Sequence, residues 1–358
     1  MKAVDTDDLR ESFAEALAHT NALTDRISTD QFSAHYAETP PWAIGPFARD
    51  ASLTFRLDGQ WDDPTGIGWT SDSIFNPTVI ERDGALHLFY RASPRKESTA
   101  SRIGHAVRRD GLWTDSPANP VIYPTLENEV LGCEDPKVYG VDGRYVLFYN
   151  AIRRTETGEV ACDIMVATSD DLEHWEKQGL AVPYDVSQNW AKGAVVPRDA
   201  DGNAVRIGGE YLMFLSEGCG GRPMIGHSDD LVHWTFAEQP YLDLTPLNGS
   251  LYEVACAVVD GDDLVLDFFY ADEHGDFAAA QALYARSAPF TQLAVNRGGS
   301  LAWGGLQRLD GDWTFAQGWD APPGSREMYF YRSTRRADRN DRNDRNDRND
   351  RTIAEEEA

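Results

Sequence analysis

The sequence predicts an all-β fold, a five-bladed β-propeller with an N-terminal helical extension and a disordered C-terminal tail. Two observations carry the propeller. From Trp42 onward, short runs rich in β-branched and aromatic residues are punctuated by Gly, Asp and Pro, the pattern of strands joined by tight turns. Within that pattern Thr168-Ser169-Asp170-Asp171-Leu172-Glu173-His174-Trp175 returns as His227-Ser228-Asp229-Asp230-Leu231-Val232-His233-Trp234, with the two tryptophans 59 residues apart. A repeat of this length fits one four-stranded blade with an Asp turn and an anchoring Trp, and residues 42–334 leave room for five. A pair of packed sandwiches would leave the recurrence unexplained. Arg108-Arg109-Asp110-Gly111-Leu112-Trp113 is a looser upstream copy, and Asp310-Gly311-Asp312-Trp313 reads as a degenerate later one.

Residues 1–41 lie ahead of the repeats. Leu9, Phe13, Ala16, Leu17, Leu23, Ile27 and Phe32 fall at helical spacing, with Asp5-Thr6-Asp7 available as an N-cap, so one or two helices should pack on the propeller. At the other end, residues 335–358 contain Arg-Asn-Asp four times in succession and then three Glu. Low complexity with so few apolar residues cannot build a core, and this tail is expected to be disordered.

The chain has 358 residues, 41% of them hydrophobic, enough for a substantial core. Its formal charge is −26, with 38 Asp and 21 Glu against 28 Arg and only 5 Lys. Five Arg, five Asp and three Glu in residues 338–358 leave −3 there, so −23 belongs to the rest. Such acidity argues against nucleic acid as a partner, because phosphate backbones need clustered cations. A Lys-poor acidic surface also repels itself unless abundant cations screen it, which points to a salt-adapted protein. The melting temperature is therefore expected to rise between dilute buffer and molar KCl, as the Debye length shrinks from about 30 Å to about 3 Å. A flat melting curve across that series would remove salt adaptation.

Cys133, Cys162, Cys219 and Cys256 are scattered, with neither a Cys-x-x-Cys pair nor zinc-site spacing, so they read as free thiols in a reducing compartment. No metal or cofactor is expected. The N-terminus lacks a charged-then-apolar signal pattern, and no apolar run approaches about 18 residues, so a soluble cytoplasmic protein without membrane contact is expected.

The chemistry centres on Gly132-Cys133-Glu134-Asp135-Pro136-Lys137, just ahead of the strand run Tyr145-Val146-Leu147-Phe148-Tyr149. Pro136 lacks an N–H and disfavours the helical region for the residue before it, so Asp135 is expected to be extended and its carboxylate presented. The same grammar occurs upstream, where Phe75-Asn76-Pro77-Thr78-Val79-Ile80 is followed by Asp83-Gly84 and Leu86-His87-Leu88-Phe89-Tyr90-Arg91-Ala92. A carboxyl presented in this way can act as a proton donor.

With Ser101-Arg102-Ile103-Gly104-His105-Ala106, Asn189 with Lys192, and the Ser-Asp-Asp-Leu-x-His-Trp repeats, these segments resemble glycoside hydrolase family 130, the mannoside phosphorylases and mannosidases. The resemblance covers about residues 70–240. It implies that Asp135 is the catalytic acid and that Asn76, Arg91 and Arg102 hold the released sugar, with Glu134, Lys137, Asn189, Lys192 and Tyr270 also in the substrate-binding set. Lys137 departs from the commoner Arg, keeping the charge without the bidentate fork. By ungapped placement, Gln188, Met213, Glu253 and Tyr270 stand where phosphorolytic relatives carry cations, and Glu217 and Glu253 suggest the hydrolytic branch, in which glutamates activate water. The expected function is inverting hydrolysis of a β-mannoside or related oligosaccharide. Phosphorolysis to mannose 1-phosphate, kept open by Lys192 and Arg222, and a non-catalytic sugar-binding propeller are the alternatives. Trp69, Trp190, Trp303 and Trp319 lie near Gly-rich loops, and one or two of them are expected to stack on sugar.

Overall fold

The computed structural model describes residues 1–20, 26–33, 39–63 and 65–335, and antiparallel sheets follow one another along the chain as five blades. The first is built from Ser73–Arg82, Ala85–Ser93, Arg102–Arg109 and Leu112–Asp115, the second from Gly132–Val141, Arg144–Arg154, Val160–Ser169 and Glu176–Leu180. In the third, Ala191–Lys192 pairs with Glu217–Gly218, and a bridge from Val195 to Phe214 joins this ladder to Tyr211–Leu215, Met224–Ser228 and Thr235–Glu238. Ser250–Asp260, Asp263–Ala271, Phe277–Ala285 and Gln292–Arg297 form the fourth.

The fifth blade joins the two ends of the ring. Gln307–Leu309, Asp312–Gln317 and Glu327–Ser333 take Phe47–Arg49 as their outer strand, with Phe47 opposite Ser333 and its ring edge-on to Phe315 at 4.9 Å. Phe55 adds a second pairing, opposite Met328.

The repeated motif is a hairpin between the third and fourth strands of a blade. Asp171 Oδ1 accepts from the backbone N–H groups of Glu173 and His174 (2.9 and 2.8 Å), and Asp230 Oδ1 from those of Val232 and His233 (2.9 and 2.8 Å). Trp175 and Trp234 donate through Nε1 to the carbonyls of Leu172 and Leu231 (3.2 and 3.0 Å), so the two occupy equivalent places. Trp313 does not belong to this series. It follows Asp310-Gly311, which turns between the first and second strands of its blade, as do Asp83-Gly84 and Asp142-Gly143. All three pairs have positive φ at both residues, the requirement that selects Asp-Gly in two-residue hairpins.

Each blade is apolar on both faces because it packs between two others. Val79, Leu88 and Phe330 fill the seam between the fifth and first blades, Phe89, Val138 and Leu147 that between first and second. Val166, Met213 and Trp234, then Phe214, Val254 and Phe268, then Phe269, Phe315 and Trp303 fill the next three. Near the centre, Thr78 Oγ1 accepts from Val138 N (3.3 Å) and donates to Gly304 O (2.8 Å). Arg198, 1% exposed, donates to Gly304 O (3.1 Å) and Val79 O (3.2 Å).

The N-terminal helix runs Thr6–Ala18, capped by Asp5, whose side chain accepts from the N–H groups of Asp7 (2.9 Å) and Asp8 (3.0 Å). Its C-terminal end is anchored to the first blade, where Ala16 O accepts from Ala100 N (3.2 Å) and Thr99 Oγ1 (3.0 Å). A short second helix, Thr29–Ser33, places Phe32 against Phe269 with ring centroids 5.1 Å apart. No helix among the described residues is long and apolar enough to cross a membrane. Leu23 and the Arg-Asn-Asp tail lie outside the described residues.

Candidate active site

One pocket receives residues from all five blades. Phe75, Asn76 and Arg91 come from the first, Asp135 from the second, Lys192 and Glu217 from the third, Tyr252 and Glu253 from the fourth, and Trp303 and Trp319 from loops of the fifth. Glu97 enters from the loop after the second strand of the first blade. The cavity is narrow.

Breaks in strand register aim these side chains. The ladder of the first blade slips between Phe75 and Thr78 and that of the second between Glu134 and Lys137, so Asn76-Pro77 and Asp135-Pro136 are the same bulge in successive blades. Asp135 is consequently not extended. It lies at φ +53, and Asn76 at +43, a region that non-glycine residues occupy only when their surroundings over-determine it. In the fourth blade the register slips on both sides of Glu253, with Tyr252 and Ala255 as single extra residues.

The pocket cations are already paired with its acids. Arg91 donates to Glu134 Oε1 (2.7 Å) and Asp135 Oδ1 (3.1 Å), and its remaining N–H groups reach Ser101 Oγ (2.8 Å) and Ser98 O (2.7 Å). Lys192 Nζ lies 2.9 Å from Glu134 Oε2 and 3.5 Å from Asp135 Oδ2. Asn76 and Asn150 complete the cage, donating to Asp135 at 2.7 and 3.0 Å, and Asn76 is oriented by Trp319 Nε1, 2.6 Å from its oxygen. Burial would raise the proton affinity of Asp135, but Arg91, Lys192 and the Asn76 amide outweigh it and hold the carboxyl well below the usual range.

Glu217 and Glu253 feel the opposite. Burial and the neighbouring Glu217 push Glu253 up to about 7, against Lys137 and the Trp303 indole that donates to it at 2.8 Å. Burial also raises Glu217, which accepts from Trp190 Nε1 at 2.8 Å. Glu217 sits in a two-residue ladder opposite Lys192. Gly193 is required beside it. At φ +62, a Cβ there would stand 2.3 Å from Ser216 Oγ and 2.8 Å from Glu253 Cγ.

Two buried lysines hold the aromatic walls. Lys137 Nζ donates to the carbonyls of Trp303 and Ala255, the latter at 3.2 Å, and Lys96 Nζ to those of Gly318 (3.3 Å), Trp319 (2.8 Å) and Ala321 (3.1 Å). Trp303 and Trp319 meet with centroids 5.0 Å apart.

Of the residues singled out in the sequence, Asn76, Arg91, Asp135, Lys192, Glu217 and Glu253 converge here, together with Trp303 and Trp319 of the four tryptophans. Glu134 lies directly beneath them, bridging Arg91 and Lys192. The others do not line the pocket. Lys137 sits behind it. Arg102 is buried with its guanidinium 3.3 Å from the centroid of Trp69, and Asn189 accepts from Arg153 at 3.0 Å. Met213 and Tyr270 belong to apolar seams, Gln188 ends a short helical turn in the left-handed region, and Arg222 donates to Cys219 O at 3.0 Å. Of the four residues placed by ungapped comparison, Glu253 lines the pocket, and Gln188, Met213 and Tyr270 do not. Glu97 and Tyr252 were missed. The signal for Glu97 was its neighbour, since a lysine in so Lys-poor a chain marks a buried task.

A sequence model of glycoside hydrolase family 130, described as beta-1,4-mannooligosaccharide phosphorylase, matches residues 62–260. A 1,2-beta-oligomannan phosphorylase of Thermoanaerobacter sp. is 29% identical over 185 residues, 50% of this chain and 56% of the relative. A beta-1,2-mannobiose phosphorylase of the same organism is 29% identical over 157 residues, 41% of this chain and 48% of the relative. The chain thus spans about half the length of the curated relatives it matches. Among solved structures, a glycosyl hydrolase from Bacteroides ovatus superposes with a TM-score of 0.65 at 22% identity, covering 84% of this chain and 97% of the other. Beta-1,2-mannobiose phosphorylase from Listeria innocua does so with a TM-score of 0.57 at 14% identity, covering 80% and 96%. At these identities the likeness is one of fold.

Proposed function

The chain belongs to glycoside hydrolase family 130, and from that premise we propose that it hydrolyses a β-mannoside or related oligosaccharide in the five-blade pocket. Asp135 protonates the leaving oxygen as the bond from the anomeric carbon breaks. A water attacks that carbon from the opposite face and gives its proton to Glu253 or Glu217, which inverts the configuration. The observation that carries water as nucleophile is the charge of the pocket. Arg91 and Lys192, its two cations, are bound to Glu134 and Asp135, and Glu97, Glu217 and Glu253 share the lining. A phosphate dianion placed there meets carboxylates.

The surroundings of Asp135 favour its ionised form and those of Glu253 bring it nearer its proton, so substrate must reverse that order. A sugar whose hydroxyls draw the Arg91 and Lys192 donors away from Asp135 and exclude water raises the proton affinity of Asp135. Phosphorolysis is the second reading. It is favoured by the description of the family model and the names of the two curated relatives given above, all phosphorylases, and by Lys192 in the pocket wall.

Incubation with a panel of manno-oligosaccharides, with and without phosphate, separates the two. Free mannose at the same rate in both buffers is the expected result. Mannose 1-phosphate accumulating with added phosphate would establish the second reading in place of the first.

A further inference from the structure

We propose that Glu97 reads the sugar, accepting hydrogen bonds from a pair of neighbouring hydroxyls on the ring held in the pocket. The inference rests on that pocket taking a sugar, as proposed above, but on neither nucleophile. Glu97 lines the wall formed by the first and fifth blades, whereas Glu217 and Glu253 project from the third and fourth. It is only 6% exposed and sits at φ +63, a strained conformation for a residue with a side chain.

Its backbone is fixed from three sides. Lys96 ties the loop to the carbonyls around Trp319, and Ser98 O takes bonds from Arg91 (2.7 Å) and Ser101 Oγ (2.8 Å). Thr99 is tied to the N-terminal helix through Ala16 O at 3.0 Å. The backbone at Glu97 is thus held by the same contacts that set Arg91 and Trp319. Two carboxylate oxygens offer about four acceptor sites in one plane, which suits two adjacent O–H donors. This group is set apart from the water-activating side, so it contributes to binding equally in the ground and transition states.

Calorimetric titration of mannose and of methyl β-mannoside into the wild type, Glu97→Gln and Glu97→Asp in phosphate-free buffer tests it. Glu97→Gln replaces one acceptor by a donor and should weaken binding about 10- to 100-fold, the range for hydrogen bonds to a charged group. In turnover KM should rise while kcat changes little. Wild-type affinity in Glu97→Gln would overturn the proposal. A series of monodeoxy mannoses titrated into the wild type tests it without any variant. Two adjacent positions should each lose affinity, and uniform affinity across the series would overturn it. If the wild type binds no mannose or mannoside, the function proposed above falls and this assignment with it, whereas binding that is indifferent to Glu97 removes this assignment alone.

Discussion

Asp135→Asn is expected to lower kcat by roughly 10²- to 10⁴-fold, the contribution of a positioned acid or base, while mannoside affinity stays within a few-fold. The amide keeps the shape and can still meet Arg91 and Lys192 through its oxygen, but it carries no transferable proton. Product release under saturating substrate measures the first effect and calorimetry the second. Undiminished turnover would remove Asp135 from the chemistry. The variant should also melt lower at neutral pH. A carboxyl whose proton affinity is depressed in the fold stabilises it above the unfolded pKa of about 3.9 and loses that contribution as pH falls through the folded value. The wild type holds all of it at pH 7, and the difference from Asp135→Asn should shrink on acidification.

The second large effect is expected at the opposite wall. Glu253→Gln, or Glu217→Gln if that residue is the base, should reduce kcat by roughly 10²- to 10⁴-fold. Azide should partly restore turnover by taking the place of the activated water, giving a mannosyl azide of inverted configuration. A base must be ionised, so wild-type kcat should fall as pH drops through about 7, the value to which burial and Glu217 bring Glu253. Removing the charge of Glu217 should move that limb to lower pH, provided Glu253 is the base. Wild-type rates in both Gln variants would exclude activation of water from this wall.

The parts of the fold that were legible in the sequence are those set by local chemistry. Ser169-Asp170-Asp171-Leu172 caps its own backbone, so the hairpin recurs wherever the motif does, and Asp-Gly turns need only their own φ angles. The conformation of Asp135 was not legible, because the rule for a residue before proline describes a free strand. A bulge fixed by the next strand overrides it. Glu253 could be placed because an acid beside the apolar run Val254 to Val259 is conspicuous, whereas Met213 and Tyr270 look no different in a seam from residues beside a pocket. Arg102, Lys137 and Asn189 belong to motifs that surround the site, and only three-dimensional packing separates residues that face it from residues that hold it. Closure of the ring by Phe47 to Arg49 leaves no mark in so short a stretch.

That closure sets the order in which the protein can be completed during synthesis. Phe47 leaves the ribosome 286 residues before Ser333, its partner, an interval of roughly 15 to 60 s at about 5–20 residues per second. Until then the outer strand of the last blade has no sheet to join, and the first blade exposes the apolar face that the fifth will cover. The nascent chain must therefore wait with open edges, the condition under which strands pair with the wrong neighbour. Trp303 and Trp319 emerge within that final stretch, so the pocket is completed last, together with the ring itself.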